Sequence, residues 1–212
     1  MHIQIESGVP ITLTKGALLN VIEAAIVQLL LFRFYEGTRQ TTFEQLRAEH
    51  QESKRLSETD YLTGAYNRSK FILLANSLLA GNDADKHCIV ILDLDDFKQI
   101  NDIYGHDMGD TVLKMFTVTL RENTRDEDII ARWGGEEFVL LLKSVSVSQA
   151  NGCINNLLSV VQALTTVGTT ISFSAGITQC NRAKTIDDLI KTADEALYEA
   201  KRDGKGRVCI AS

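Results

Sequence analysis

The chain has 212 residues, of which 44% are hydrophobic and 24% charged, a composition typical of a soluble protein with one domain of about 150 residues and an extension. Its formal net charge of −6 argues against a protein that wraps nucleic acid, because such proteins neutralise phosphates with a basic face. A small phosphorylated ligand is compatible with this charge.

The cysteines Cys88, Cys153, Cys180 and Cys209 are far apart and show no C-x-x-C spacing. This pattern predicts buried thiols in a reducing cytosol. The first residues are not a basic stretch followed by an apolar core and a small-residue cleavage site, so we expect no signal peptide and a cytoplasmic location.

Residues 1–56 are predicted to form an N-terminal extension, which begins with weak strand alternation over residues 9–13. Apolar residues then dominate positions 16–35, but polar ones interrupt them: Asn20, Glu23, Gln28 and Arg33. A membrane-spanning helix prefers about 20 mostly apolar residues without such interruptions. The sequence therefore favours a soluble helix, and membrane contact through residues 16–35 stays the alternative.

From Ile22 onward, residues recur at alternating spacings of three and four, which is typical of a heptad seam with polar breaks. The seam positions are Ile22, Ala25, Leu29, Phe32, Glu36, Arg39, Phe43, Leu46, His50 and Ser53. This pattern favours a parallel coiled coil that serves signalling or dimerisation. A single amphipathic helix packed on its own domain is the alternative.

Residues 57–212 alternate between strand and helix patterns. The apolar run 88–92 predicts a strand buried on both faces, and runs 129–133 and 138–142 flank two glycines, which predicts a hairpin. The other predicted elements are helices over 107–122, 148–164 and 185–202, the last with a capping box of Thr185 and Asp188, and strands over 170–178 and 207–211. This order is a split β-α-β pattern with additions.

Acidic residues fall where these predicted strands end. Asp93 follows the first strand, and Glu136 and Glu137 lie at the hairpin tip. Burying such charges is costly unless a cation or donor compensates, and hard oxygen ligands from neighbouring strands are what Mg²⁺ prefers. The pattern predicts a magnesium site, although each acidic pair alone could also be a cap or a solvated edge.

Four blocks of the sequence resemble the GGDEF family of diguanylate cyclases. Segment 134–138, Gly-Gly-Glu-Glu-Phe, is similar to the family signature in its Glu-for-Asp form, and further matches lie within 60–68, 93–110 and 193–201. The resemblance covers residues 57–210. It implies an α/β (α+β) fold of the ferredoxin-like or palm type, with a central, mainly antiparallel sheet flanked by helices and preceded by a long N-terminal helix.

The resemblance also implies an activity, the condensation of two GTP into cyclic di-GMP and two pyrophosphates, and a set of site residues. By this resemblance, two Mg²⁺ ions, with Mn²⁺ as the alternative, are held by Asp93, Glu136 and the backbone carbonyl of Leu94. Glu136 and Lys98 take part in catalysis. The substrate contacts are Asn101, His106, Asp110, Glu137, Lys201 and Lys205.

Asn101 and Asp110 match the guanine-binding positions of the family, and their chemistry agrees with that role. A carboxylate accepts hydrogen bonds from N1 and the exocyclic amine of guanine, whereas adenine has no N1 hydrogen, so GTP is favoured over ATP. The chain departs from the family pattern at Lys205, often Arg, and at Gly206, often Asn. This departure puts a bidentate phosphate contact in doubt but keeps the charge.

Arg125 and Asp128 have the Arg-x-x-Asp spacing of the family's inhibitory product site, and five residues lie between the end of the charge run 125–128 and Gly134. Arg can hold phosphate and Asp can accept from guanine nitrogens, although a charge run by itself is also typical of a solvated turn.

One domain would hold one GTP, so the resemblance implies a homodimer as the active form. Two alternatives stay open. One is a catalytically silent cyclic di-GMP receptor of the same fold, and the other is a dimerising scaffold that only the heptad seam supports.

Overall fold

The structure is a computed structural model that describes residues 2–3, 11–12, 15–56, 58–166 and 169–211. It divides into two compact units, Met1–Leu56 and Ser57–Ser212. Each unit is described by itself below.

The first unit consists of a short antiparallel strand pair, β1 (His2–Ile3) and β2 (Ile11–Thr12), and a long helix, α1 (Lys15–Leu56). Residues 9, 10 and 13 of the predicted strand lie outside the described residues. The seam positions from Ile22 to Arg39 are exposed on α1. The side chains of Phe43, Leu46, His50 and Ser53 lie outside the described part, and the coiled coil stays a prediction.

The second unit alternates strands and helices around one sheet. In chain order its elements are β3 (Tyr66–Asn67), α2 (Arg68–Leu79), a 3-10 turn (Ala84–Lys86), β4 (Cys88–Leu94), α3 (Phe97–Tyr104), α4 (His106–Glu122), β5 (Ile129–Gly134), β6 (Glu137–Leu142), α5 (Val147–Ala163), β7 (Thr165–Thr166), β8 (Thr169–Thr170), β9 (Phe173–Gln179), α6 (Ile186–Arg202) and β10 (Val208–Ile210). Within the described residues, six strands form the sheet in the order β10-β9-β4-β6-β5-β3. The β9–β4, β4–β6 and β6–β5 pairs are antiparallel, and the outer pairs are parallel. The predicted fold class and the predicted hairpin are confirmed.

Strand β4 lies at the centre of the sheet and is buried along its whole length. Successive side chains of a strand point to opposite faces, so the side chains of β4 pack in two separate cores. Val90 and Leu92 pack in the core that contains α4 and α5, whereas Ile89 and Ile91 pack in the core that contains α2 and α6. By the same alternation, Asp93 belongs to the face covered by α6.

The helix starts follow local capping chemistry. Ser146 and Thr185 each form a capping box at the start of α5 and α6, which confirms the predicted box of Thr185 and Asp188. Asn67 caps α2 by accepting a hydrogen bond from the Lys70 N–H at 2.9 Å. Helices α2 and α3 were not expected from the sequence.

The four cysteines are all free thiols. Burial raises the pKa of the Cys88 thiol to about 11 and that of Cys180 to about 12. The prediction of buried thiols is wrong for Cys153 and Cys209, which are partly exposed. Cys209 lies on β10, the outermost strand of the sheet, where one edge has no neighbouring strand among the described residues.

Candidate active site

The centre of the site is a carboxylate pair that the β4–β6 register places side by side. Asp93 is directly opposite Glu137 in that antiparallel pairing, and both point to the face covered by α6. Lys201, on α6, forms an ion pair with Asp93, and its Nζ lies 2.8 Å from Asp93 Oδ2. Asp93 is only 8% exposed. The site therefore joins a buried carboxylate, its partner strand and the last turn of α6.

Glu136 lies in the turn between β5 and β6, next to the end of β4. The register of the hairpin shifts between Arg132 and Gly134, and Gly135 adopts φ +47°, a conformation that favours glycine. The Leu94 N–H approaches the Glu136 carbonyl oxygen at 3.4 Å. This turn holds the Leu94 peptide and Glu136 next to each other.

The site carries more negative than positive charge. Burial raises the pKa of the Asp93 carboxyl, the Lys201 ammonium offsets part of that rise, and the Glu136 and Asp95 charges add to it. Burial likewise raises the pKa of Glu137, and the charge of Asp93 raises it further. Carboxylates that repel one another in a partly buried site are stabilised by an added cation.

The donor set suits a hard divalent cation that also binds substrate. Among the described residues, no three His, Cys, Asp or Glu side chains come together as a metal cage. Two carboxylates, Asp93 and Glu136, and the carbonyl of Leu94 would hold Mg²⁺ through oxygen alone. Because Mg²⁺ is usually held by one or two carboxylates plus substrate phosphates, these residues fit it.

The predicted guanine-binding residues meet where α3 and α4 pack together. A Cβ at Gly109 would overlap Asn101 Oδ1, so the absence of a side chain there lets Asn101 lie against α4 beside Asp110. Asp110 is exposed. His106, the first residue of α4, and Lys98 on α3 are also exposed.

Lys205 lies in a tight loop after α6, and the residue that holds this loop was not predicted from the sequence. Lys205 has φ +61°, and its Nζ lies 2.6 Å from Asp96 Oδ1. Asp95 accepts hydrogen bonds from the Gly206 N–H at 3.0 Å and from Ser174 Oγ at 2.7 Å. The second aspartate of the Asp93-Leu94-Asp95 motif was the available signal, but its partner 111 residues away was not visible in sequence.

A second missed residue, Arg132, ties the hairpin to the first turn of the unit. Its Nη1 donates to Asp60 Oδ1 at 3.0 Å, and its Nε and Nη2 donate to the Gly135 carbonyl at 2.9 and 2.8 Å. Burial alone would raise the pKa of Asp60, but hydrogen bonds from Thr63 and Arg132 outweigh it and hold that pKa below its usual value. Arg132 thereby fixes the backbone immediately before Glu136.

Arg125 and Asp128 line a separate surface pocket of about 410 Å³, together with Arg121 and Tyr66. Asp128 Oδ2 accepts from the Arg125 N–H at 3.0 Å, and Asp128 Oδ1 accepts from the Lys143 N–H at 2.9 Å. The Asp128 carboxylate therefore also holds its own turn. Arg121, which was not predicted from the sequence, adds a second guanidinium.

A protein-family model matches most of this unit. Residues 57–207 match the model described as "Diguanylate cyclase, GGDEF domain". The diguanylate cyclase DgcM of Escherichia coli K12 is 36% identical over 171 residues, which cover 79% of this chain and 42% of DgcM. The chain thus spans less than half the length of this curated relative.

Solved structures of related proteins share the fold. The diguanylate cyclase SiaD of Pseudomonas aeruginosa, in complex with its activator SiaC, matches with a TM-score of 0.69 and 30% identity, over 91% of this chain and 76% of that one. The coiled coil and GGDEF domain of DgcB from Caulobacter crescentus, in complex with c-di-GMP, matches with a TM-score of 0.68 and 27% identity, over 86% of this chain and 99% of that one.

Proposed function

The chain belongs to the GGDEF family, and from this premise we propose that residues 57–212 are a diguanylate cyclase domain that condenses two GTP into cyclic di-GMP and two pyrophosphates. The observation that carries the proposal is the meeting of Asp93, Glu137 and Lys201 at the ends of β4, β6 and α6, with the backbone of Glu136 against Leu94 in the adjoining turn. The predicted guanine-binding residues, Asn101 and Asp110, lie on α3 and α4, which follow β4 in the chain. A triphosphate and a guanine can thereby be held by different parts of one surface.

Each residue has a defined task in this proposal. Asn101 and Asp110 bind the guanine edge, and Lys98, Lys201 and Lys205 face the phosphates. Bound Mg²⁺, held by Asp93, Glu136 and the Leu94 carbonyl, would supply charge that neutralises the triphosphate and favours the alkoxide of the 3′-hydroxyl. We assign acceptance of the hydroxyl proton to Glu136. The 3′-oxygen forms a bond to the α-phosphorus while the bond to pyrophosphate breaks.

The product contains two phosphodiester bonds, so two domains must present their nucleotides to each other. One domain with one GTP cannot close the ring alone. We propose that α1 pairs two chains and raises the effective concentration of the second domain. We also propose that the pocket of Arg125 and Asp128 takes the product and inhibits turnover.

The test is incubation of the chain with GTP and Mg²⁺ across protein concentrations, followed by chromatography of the products. Cyclic di-GMP and pyrophosphate are expected. Tight cyclic di-GMP binding without turnover would instead identify a receptor. If the chain neither turns over GTP nor binds cyclic di-GMP, a scaffold is the remaining function.

Glu136→Gln sharpens this assay because it keeps the side-chain shape and removes the charge. Turnover should fall by about 100-fold or more, since a catalytic carboxylate contributes on this scale, while the circular dichroism spectrum stays unchanged. Glu122→Gln, at the exposed end of α4, is the matched control and should retain full activity. Substantial turnover in Glu136→Gln would refute the role of this residue.

A further inference from the structure

The first half of α1 carries large apolar side chains on all sides. Those with more than 45% of their surface exposed include Leu18, Leu19, Val21, Ile22, Ile26, Val27, Leu29, Leu30, Leu31, Phe32 and Tyr35. None of the window Leu18–Gly37 is buried within the structure, and its mean hydropathy is 1.6. An exposed apolar surface of this extent needs a covering partner.

The distribution around the helix axis decides what kind of partner fits. With about 100° between successive residues, these side chains leave no gap wider than about 60° around the circumference. A two-stranded coiled coil covers one stripe of each helix and leaves the opposite side polar. Val27 and Leu31 lie opposite the seam of Ile22, Ala25 and Leu29, so pairing would leave them in water.

The polar residues of this segment do not form a face of their own. Asn20, Glu23, Gln28, Arg33 and Glu36 point in five different directions around the axis, by the same spacing. Arg33 lies four residues before the end of the window, where a long basic side chain can reach the membrane surface. Glu23 lies five residues after the start of the window, and Glu36 lies next to its end. These interruptions are therefore compatible with lipid around the helix.

We propose that residues 18–37 span a lipid bilayer, and that the proposed cyclase domain follows on its cytoplasmic side. Twenty helical residues are about 30 Å long, which matches the hydrocarbon core of a bilayer. Phe32 and Tyr35 lie toward the end that would meet the polar headgroups, where aromatic residues are favoured.

The orientation follows from the charge on the two flanks. Residues 38–57 contain four basic residues, Arg39, Arg47, Lys54 and Arg55, whereas residues 1–17 contain one, Lys15. Basic flanks stay on the cytoplasmic side. This orientation exposes the second unit to cytoplasmic GTP.

The test uses the whole chain, purified in detergent and reconstituted into vesicles of phosphatidylethanolamine and phosphatidylglycerol. After an alkaline carbonate wash, the vesicles are floated through a sucrose gradient. We expect the chain to float with the lipid. A chain that stays at the bottom, or that the carbonate wash removes, would overturn the proposal.

The double variant Val27→Lys and Leu31→Lys separates lipid from a soluble coiled coil. It should reduce the floated fraction by about tenfold, since lysine at the membrane centre is strongly disfavoured. The matched control, Gln40→Lys with Thr42→Lys, lies beyond the window and should float normally. If the double variant floats as well as the control, or if the unaltered chain is a soluble dimer without detergent, the segment does not span.

Turnover measured in detergent is an independent readout. An active chain that does not float would reject the membrane segment alone, and a floating chain without turnover would reject the cyclase alone.

Discussion

Carboxylates in the site have two distinct structural environments. Asp93 is buried in the strand, opposite Glu137 and paired with Lys201, and is available to a cation. Asp95, two residues on, is occupied on both oxygens by Ser174 and by the backbone of the Lys205 loop. The two aspartates of this motif therefore have different roles. Asp93 is available to a ligand, whereas Asp95 holds the loop that carries the Lys205 ammonium.

We predict that Asp95→Asn weakens GTP binding without unfolding the domain. An amide cannot accept from both Ser174 and the Gly206 N–H, and loss of a hydrogen bond to a charged group costs about 10- to 100-fold in affinity. KM for GTP should rise more than kcat falls, and trypsin should cleave after Lys205 faster. Asp96→Asn, which removes only the exposed Lys205 ion pair, is the control and should change KM less.

Arg125→Ala should relieve inhibition by added cyclic di-GMP. Its guanidinium lines the pocket beside Arg121 and lies away from the acidic pair, so initial rates with GTP should stay within about twofold. Inhibition curves at increasing product concentration measure this effect. Unchanged inhibition would mean that another site binds the product.

His87 should make the stability of the domain depend on pH. It is 5% exposed, and its Nδ1 accepts a hydrogen bond from the Ser144 N–H at 3.1 Å. Burial lowers the pKa of His87 below its ordinary value of 6.5. The unfolded chain therefore takes up the proton more readily than the folded one. The stability that neutral His87 gives the folded domain is complete above pH 6.5 and is lost as the pH falls through the lower folded-state pKa.

The measurement is the urea midpoint as a function of pH. His87→Asn keeps an acceptor but cannot titrate, so its midpoint should fall less on acidification than that of the unaltered chain. His106→Asn, at an exposed position, should behave like the unaltered chain. An equal fall in all three would exclude His87 as the titrating group.

At the scale of secondary-structure elements, the sequence predicted the long periodic segments and missed the short ones. Helix α3 has only eight residues, and its N-cap residue Asp96 has φ +55° and makes no capping hydrogen bond. Helix α2 was missed although Asn67 gave a start signal, because the pattern of its apolar residues is weak. Contacts with the sheet through Phe71 and Ala75 stabilise α2.

Helix α6 carries Lys201 and packs against β9 at closest range over Gly176. A Cβ there would overlap the Ala193 carbonyl oxygen and the Leu197 backbone nitrogen. We predict that Gly176→Ala lowers the free energy of unfolding by about 1–3 kcal/mol, as overpacking does, and raises KM for GTP because α6 must shift.

Gly152→Ala is the matched control for this change. A Cβ at Gly152 on α5 meets open space, so this variant should gain up to about 1 kcal/mol from helix propensity. Urea denaturation measures both. A Gly176→Ala protein as stable as the unaltered chain would show that the α6 backbone can shift without lowering the free energy of unfolding.

At the scale of the whole molecule, activity should depend on bringing two domains together. We predict that a shortened chain beginning at Ser57 has lower turnover per subunit than the full chain at low protein concentration. The difference should disappear as the concentration rises, because two free domains then meet often enough without pairing by α1. Initial rates over a dilution series measure this. Turnover that is equal to the full chain at every concentration would contradict the role of the extension.

By itself, the sequence determined the periodic strands and helices, the glycine hairpin and the identity of the motif residues, because these follow from neighbours along the chain. Only the tertiary structure decided which of them meet. Asp93 faces Glu137 through strand register, and Arg132 reaches Asp60 across 72 residues. Such contacts depend on how strands and helices pack, and a packing geometry leaves no local signature in composition or spacing.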